Sequence, residues 1–272
     1  MLIAALYWGG NTVPPNKPAP AMQRPNSGGA VSRPATAGSV AVDSLLAASV
    51  AQMPPAVADS VKNINSRIAA MHDSSGMAVL FAQISAIGGR NKQPILLAYY
   101  NARAAKLENS EKKLTFAGQL FLQVMENEND PSMHAWEAGE AISCLERSQK
   151  INPDNEDTKL ALATGYIEGS GEPMKGVQIL LAVVREKPED VPANLLLGKM
   201  SVQSGQLDKA IGRFETVLKK EPDNKEALYF LAQAWEGKGD KAKAIEYLEK
   251  CKKIVNDPAF SRDIDQKINS LK

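Results

Sequence analysis

The sequence has few of the residues that most often carry catalysis or bind metals. Its 272 residues include two cysteines and two histidines. His72 and His134 lie in different segments, and neither stands among cysteines or carboxylates at the spacing of metal ligands. The turn at 126–131 alternates acidic residues with asparagine, but it lacks the glycine and the closing glutamate of a calcium loop. The residues therefore predict no catalytic, metal or cofactor site, and thus a protein that is not an enzyme.

Excess charge of one sign and aromatic residues are also scarce. Lysine and arginine number 32 against 31 aspartates and glutamates, for a net charge of +1, and aromatic residues make up 6% of the chain. A nearly neutral chain lacks the bulk electrostatic attraction that draws proteins to nucleic acids, so no nucleic-acid partner is predicted. No stretch shows sustained alternation of apolar and polar residues, and we expect the folded part to be all-α.

A pattern with a period near 34 residues runs from residue 156 to residue 258. Each unit carries small and large apolar residues in fixed positions. The matching positions are Leu162-Ala163, Gly176 and Leu180 in the first unit, Leu197-Gly198, Ala210 and Phe214 in the second, and Leu231-Ala232, Ala244 and Leu248 in the third. Such a period is typical of an array of helical repeats.

The unit at 191–224 predicts two helices joined by a turn. Residues 193–203 carry apolar side chains at helical spacing, and 207–220 resume that spacing after an interruption. Gly205 lies in the interruption, where glycine can adopt a positive φ at the end of a helix. Pro222 then ends the second helix, because proline has no N–H and clashes with the preceding turn.

Small residues in each unit predict close contact between its two helices. Gly198 and Ala210 let the antiparallel backbones approach, while Leu197 and Phe214 fill the space beside them. One such hairpin cannot bury its apolar face alone, so neighbouring hairpins must stack on it.

These residues resemble the tetratricopeptide repeat family. That family has an aromatic residue, a Leu-Gly pair and a tyrosine in the first helix, then alanine, phenylalanine and a closing proline in the second. Residues 191–224 depart from the pattern at Asn194 and Ser201, where aromatics are usual, and Asn256 stands where the next closing proline belongs. The resemblance implies a right-handed superhelix of stacked hairpins, an α-solenoid, whereas an irregular helical bundle is the alternative.

The rest of the chain is divided around this array. We expect an apolar N-terminus at 1–10, a disordered linker rich in Pro, Ala and Gly at 11–40, and a repeat-like helical extension at 41–108. The array itself spans 109–258, followed by a capping helix at 259–272. Its four predicted repeats are 109–155, 156–190, 191–224 and 225–258.

The first residues suggest a location for the protein. Residues 1–8 are apolar but too few to cross a bilayer, which needs about 20. Their Tyr7-Trp8 pair suits a membrane interface, so we expect the end of a membrane tether, with an apolar N-terminus of no function as the alternative. An apolar start, a proline-rich spacer and a C-terminal repeat block resemble anchored repeat proteins of bacterial envelopes. That resemblance implies an inner-membrane anchor with periplasmic repeats, and a cytoplasmic protein is the alternative.

The resemblance also implies a binding groove along the first helices of the repeats. The positions that would face it are Leu160, Thr164, Leu195, Lys199, Tyr229, Gln233 and Glu236. Some family members hold a C-terminal carboxylate with lysine and asparagine there, but only Lys199 could do so here. The apolar and aromatic members suit an apolar peptide or helix. They could instead pack against residues 41–52 of the same chain.

The predicted function follows from this groove. We expect a non-enzymatic scaffold or adaptor that binds a protein or peptide partner in the assembly of an envelope complex. A cytoplasmic co-chaperone or regulator that uses the same groove is the alternative. The residues do not predict the oligomeric state.

Overall fold

The computed structural model describes residues 40–255 and 257–272, and within these ranges it contains thirteen α-helices and no β-strand. In chain order the helices are α1 (Val42–Ala51), α2 (Pro55–Ala69), α3 (Ser74–Arg90), α4 (Pro94–Glu108), α5 (Glu111–Met125), α6 (Pro131–Ile151), α7 (Glu156–Glu168), α8 (Pro173–Glu186), α9 (Val191–Gln203), α10 (Leu207–Lys220), α11 (Lys225–Gly237), α12 (Lys241–Val255) and α13 (Pro258–Leu271). The predicted all-α fold is confirmed. The apolar N-terminus and almost all of the predicted linker, residues 1–39, lie outside the described ranges.

The helices that open the last three hairpins of the array begin in the same way. Asn155, Asp190 and Asn224 cap α7, α9 and α11, and each stands about one repeat after the one before. Each side chain accepts a hydrogen bond from the backbone N–H three residues later, at 3.0, 2.8 and 2.9 Å. These bonds satisfy N–H groups that have no partner inside the helix, so the cap fixes where each hairpin starts.

The turns within the last two hairpins each have a glycine at the same position of the repeat. Gly205 has a φ of +71° and Gly239, one repeat later, a φ of +83°. A side chain at either position would strain the left-handed backbone, which glycine adopts at no steric cost. The positive φ predicted for Gly205 is therefore present.

Two of the hairpins hold their helices close together at a glycine. A Cβ atom added to Gly198 of α9 would lie 2.6 Å from Cε1 of Phe214 in α10. In the hairpin of α5 and α6, a Cβ atom on Gly118 would lie 2.4 Å from Cγ of Leu145. Phe214 and Leu145 are fully buried. The large side chain of one helix thus occupies the space that the small residue of the other leaves free.

The four hairpins α5–α6, α7–α8, α9–α10 and α11–α12 stack as a solenoid. The first helices α5, α7, α9 and α11 contact one another in succession. The second helices α6, α8, α10 and α12 lie farther apart, since none of their described Cα atoms comes within 8 Å of a Cα atom in another of these helices. The array is therefore packed more closely along its first helices, which form the inner side of its curve. The predicted solenoid of helical hairpins is confirmed, while the residue boundaries of the four repeats stay a prediction.

The ends of the array are covered by further helices. On the N-terminal side α4 packs against α5, and α1 packs against α2 and α4. Residues 41–52 were the alternative occupant of the predicted groove, but they do not lie against α7, α9 or α11. On the C-terminal side α13 buries Ile264, Ile268 and Leu271 in a cluster with Ala244 and Leu248 of α12.

The prediction of an inner-membrane-anchored protein is wrong for the chain as far as the structure describes it. None of the helices from α1 to α13 has both the length and the apolar composition that crossing a bilayer requires. The tether was predicted from residues 1–8, which lie outside the described ranges.

Candidate protein-binding groove

The predicted groove residues lie on three neighbouring helices. Two are on α7, two on α9 and three on α11, and α9 contacts both of the others. All seven side chains are half-buried: Leu160, Thr164, Leu195, Lys199, Tyr229, Gln233 and Glu236. Half-burial is what a side chain needs if it is to be held in place by its own chain and still offer a face to a partner.

Lys199 of α9 is already engaged with α11. Its Nζ donates a hydrogen bond to Oε1 of Glu226 at 2.6 Å and lies 5.4 Å from the ring centre of Phe230. The ion pair and the cation–π contact both direct the ammonium group toward α11. The one lysine that could hold a carboxylate is therefore paired within the chain.

The α11 residues include the aromatic member of the predicted groove. The rings of Tyr229 and Phe230 meet edge to face at 5.8 Å, and Phe230 stacks on the buried Phe214 at 6.0 Å. Oε1 of Glu236 accepts a hydrogen bond from Nζ of Lys267 in α13 at 2.7 Å. Tyr229 thus packs against Phe230, which in turn stacks on Phe214, whereas Glu236 is hydrogen-bonded to the capping helix α13.

The predicted residues on α7 and the apolar one on α9 contribute partly to the core. Leu160 packs against the buried cluster around Leu180 and Val183, and Leu195 against the cluster around Phe214. Oγ1 of Thr164 donates to the carbonyl oxygen of Leu160 at 3.1 Å, so that hydroxyl is used within α7. These side chains therefore contribute to packing within the array, and their facing a binding groove stays a prediction.

A cleft of about 290 Å³ lies between α7 and α9. It is lined by Ile167, Glu168, Leu196, Lys199, Met200 and Gln203. Lys199 is the one member of the predicted set among them. The sequence did carry a signal for two of the others, because Ile167 and Glu168 follow Thr164 by three and four residues and share its helical face.

The cleft has an acidic side at Glu168. Desolvation raises the pKa of this carboxyl, and the nearby carboxylates of Glu126 and Glu226 raise it further. Lys199 and His134 act in the opposite direction, but they do not outweigh desolvation. The ionised form of Glu168 is therefore less well stabilised here than in water.

Comparison with known protein families identifies the repeat type. A family model described as "Tetratricopeptide repeat" matches residues 195–256, which include most of α9 and all of α10, α11 and α12. Solved structures of MamA share the fold. One MamA structure has a TM-score of 0.51 at 16% identity and covers 65% of this chain and 91% of its own. MamA from Desulfovibrio magneticus RS-1 has a TM-score of 0.52 at 20% identity and covers 68% and 96%.

Two characterised proteins match shorter stretches. One is the probable UDP-N-acetylglucosamine–peptide N-acetylglucosaminyltransferase SEC of Arabidopsis thaliana, 30% identical over 105 residues that cover 39% of this chain and 11% of that protein. The other is anaphase-promoting complex subunit 3 of Dictyostelium discoideum, 33% identical over 85 residues that cover 31% and 9%. The chain thus spans about a tenth of each relative.

Proposed function

We propose that this chain, which is a tetratricopeptide-repeat protein, is a non-enzymatic scaffold that binds an apolar peptide or helix of a partner protein along α7, α9 and α11. Stacked repeats create extended inner surfaces of the kind that hold peptides. The observation that carries the proposal is the run of half-buried apolar and aromatic side chains, above all Leu195 and Tyr229, on first helices that contact in succession.

The proposal is confined to capture of a peptide or helix. The narrower role predicted from the sequence, assembly of an envelope complex, has no support among the described residues. A co-chaperone that clamps a C-terminal carboxylate is disfavoured, because Lys199 is paired with Glu226 and contacts Phe230. A clamp would have to break that pair before the lysine could bind a new carboxylate.

The test compares capture of native partners by wild-type protein and by a variant with both Leu195→Asp and Tyr229→Asp. A second variant, Val79→Asp with Leu181→Asp, serves as the control, since it changes exposed apolar residues on α3 and α8. Polypeptides recovered by wild type and control but lost with the groove variant support the proposal. Equal recovery by all three contradicts it. Loss of helical circular dichroism in the groove variant assigns Leu195 and Tyr229 to the core and also contradicts it.

A further inference from the structure

The α7–α9 cleft combines an apolar floor with an excess of negative charge. Ile167, Leu196 and Met200 supply the apolar lining, and all three are half-buried. The volume of about 290 Å³ is roughly ten times the share of liquid volume that one water molecule occupies, so an apolar side chain fits. The charge comes from the side chains and the backbone at the rim.

The side-chain charge at the rim is not neutralised by the chain itself. Glu168 forms no salt bridge with any residue that the structure describes. Lys199 is the charged neighbour with the largest effect on its pKa, while Glu126 and Glu226 act on it as further negative charges. The cation that lines the cleft, Lys199, is held by Glu226 at 2.6 Å. The Glu168 carboxylate thus has no direct ion-pair partner among the described residues, and its strongest cationic influence, Lys199, is shared with Glu226.

The backbone adds to this negative potential. α7 ends at Glu168 and α9 ends at Gln203, and both residues line the cleft. A helix carries the equivalent of about half a negative charge at its C-terminus, where its last carbonyl groups have no partner within the helix. Two such ends at one cleft favour a cation, and they make a carboxylate at the last position of α7 unfavourable unless a cation accompanies it.

We propose that this cleft is the specificity-determining part of the groove and takes an apolar side chain of the partner with a lysine or arginine close by, whose cation pairs with Glu168. The inference rests on the proposed function, since it names the partner chemistry that the groove selects. It commits to a basic apolar segment: an acidic segment would place like charges beside Glu168 and Glu226, and like charges at an interface are strongly disfavoured.

The raised pKa of Glu168 allows a second test, the pH dependence of peptide affinity. A cation bound beside Glu168 favours the ionised carboxylate and therefore lowers its raised pKa. Binding then releases protons, so the affinity for a basic peptide increases as the pH rises through the titration range of the free protein.

The experiment selects phage-displayed random dodecapeptides on four immobilised proteins. These are wild type, Glu168→Lys, the control Glu249→Lys on the exposed face of α12, and the groove variant with Leu195→Asp and Tyr229→Asp. We expect wild type and the Glu249→Lys control to enrich peptides with an apolar residue near a lysine or arginine. One enriched peptide, made synthetically, should bind Glu168→Lys about tenfold more weakly and Glu168→Gln about threefold more weakly.

The outcomes separate this inference from the proposed function. Peptides enriched without basic residues, or bound equally well by Glu168→Lys, overturn the inference and leave peptide binding in the groove intact. An affinity that does not rise with pH for wild type contradicts it as well. If wild type enriches no peptide beyond the groove variant, the proposed function fails and the inference fails with it.

Discussion

Oγ1 of Thr115 lies 2.7 Å from Oγ1 of Thr158, in the buried junction between α5 and α7. Oγ of Ser148 in α6 lies 2.7 Å from the same Thr115 oxygen and donates to the carbonyl oxygen of Glu111 at 3.0 Å. Three successive helices thus meet at hydroxyls that satisfy one another away from water. A buried polar group costs free energy unless it is paired, so this set favours one register between the first two hairpins.

Replacing Thr115 by valine should lower the free energy of unfolding by about 1–3 kcal/mol, because the valine side chain cannot form the hydrogen bonds that Thr115 makes with Ser148 and Thr158. Urea denaturation measures the change. Thr216→Val is the control, since that hydroxyl only bonds to the carbonyl of Gly212 within α10, at 2.9 Å. Equal losses for the two variants would show that the junction has no special role.

Gly198→Ala should also destabilise the protein, although alanine is the better helix former. The added methyl would meet Cε1 of Phe214 at 2.6 Å, and overpacking a core costs about 1–3 kcal/mol. Gly212→Ala is the matched control in α10, because a Cβ there has no neighbour within 4 Å. It should stabilise the protein by about 0.5–1 kcal/mol, the usual difference in helix propensity. Thermal unfolding of both variants measures the change in melting temperature. An equal rise in the melting temperatures of Gly198→Ala and Gly212→Ala would contradict the close approach of α9 and α10.

Contacts inside one hairpin could be predicted from the sequence, because both partners stand at fixed positions of the repeat. Gly198 and Phe214 belong to the same unit, so their pairing follows from the period. The positive φ of Gly205 follows from a glycine between two helical stretches. These local features determine the fold of each hairpin, and for that reason the architecture can be predicted from the sequence.

Contacts between hairpins could not be predicted in the same way. Whether Ile167 and Met200 line one cleft depends on the angle between neighbouring hairpins, which the repeat pattern does not specify. The pairing of Glu236 with Lys267 likewise joins the array to a helix outside the repeat pattern. Thus the sequence predicted the stacked helices better than the side chains that line the cleft between α7 and α9.

Asn194 explains one departure from the repeat pattern and leads to a further prediction. This buried side chain stands where the family has an aromatic residue. Its Nδ2 donates to the carbonyl oxygens of Pro188 at 2.9 Å and Asp190 at 2.7 Å, and its Oδ1 accepts from Arg213 at 2.9 Å. Asn194→Ala removes all three bonds, and we expect a loss of about 2–3 kcal/mol in urea denaturation.

A double-mutant cycle separates this network from simple cavity formation. If the bond to Arg213 is stabilising, the losses for Asn194→Ala and Arg213→Ala should not add, with a coupling of about 1 kcal/mol. Asn269→Ala on the exposed face of α13 is the control and should change stability by less than about 0.5 kcal/mol. Strictly additive losses would mean that Asn194 and Arg213 act independently.

The last prediction concerns Glu137 of α6, a fully buried carboxyl group. Neither of its oxygens has a hydrogen-bond partner among the described residues. Burial, together with a smaller effect of the Glu128 charge, raises its pKa from 4.5 to about 7. Since the folded state holds the proton more tightly than the unfolded state, the free energy of unfolding should fall as the pH rises from about 4.5 to about 7, by up to about 3 kcal/mol.

Urea denaturation across this pH range measures the effect for wild type, Glu137→Gln and the exposed control Glu215→Gln. The amide of Glu137→Gln does not titrate, so its stability should lose the part of the pH dependence that Glu137 causes, while Glu215→Gln should follow wild type. The sign of the change in stability with pH is the most discriminating result, because carboxylates that are paired in the folded state make stability rise with pH over the same range. A Glu137→Gln profile parallel to that of wild type would show that the carboxyl group ionises as freely in the folded protein as in the unfolded chain.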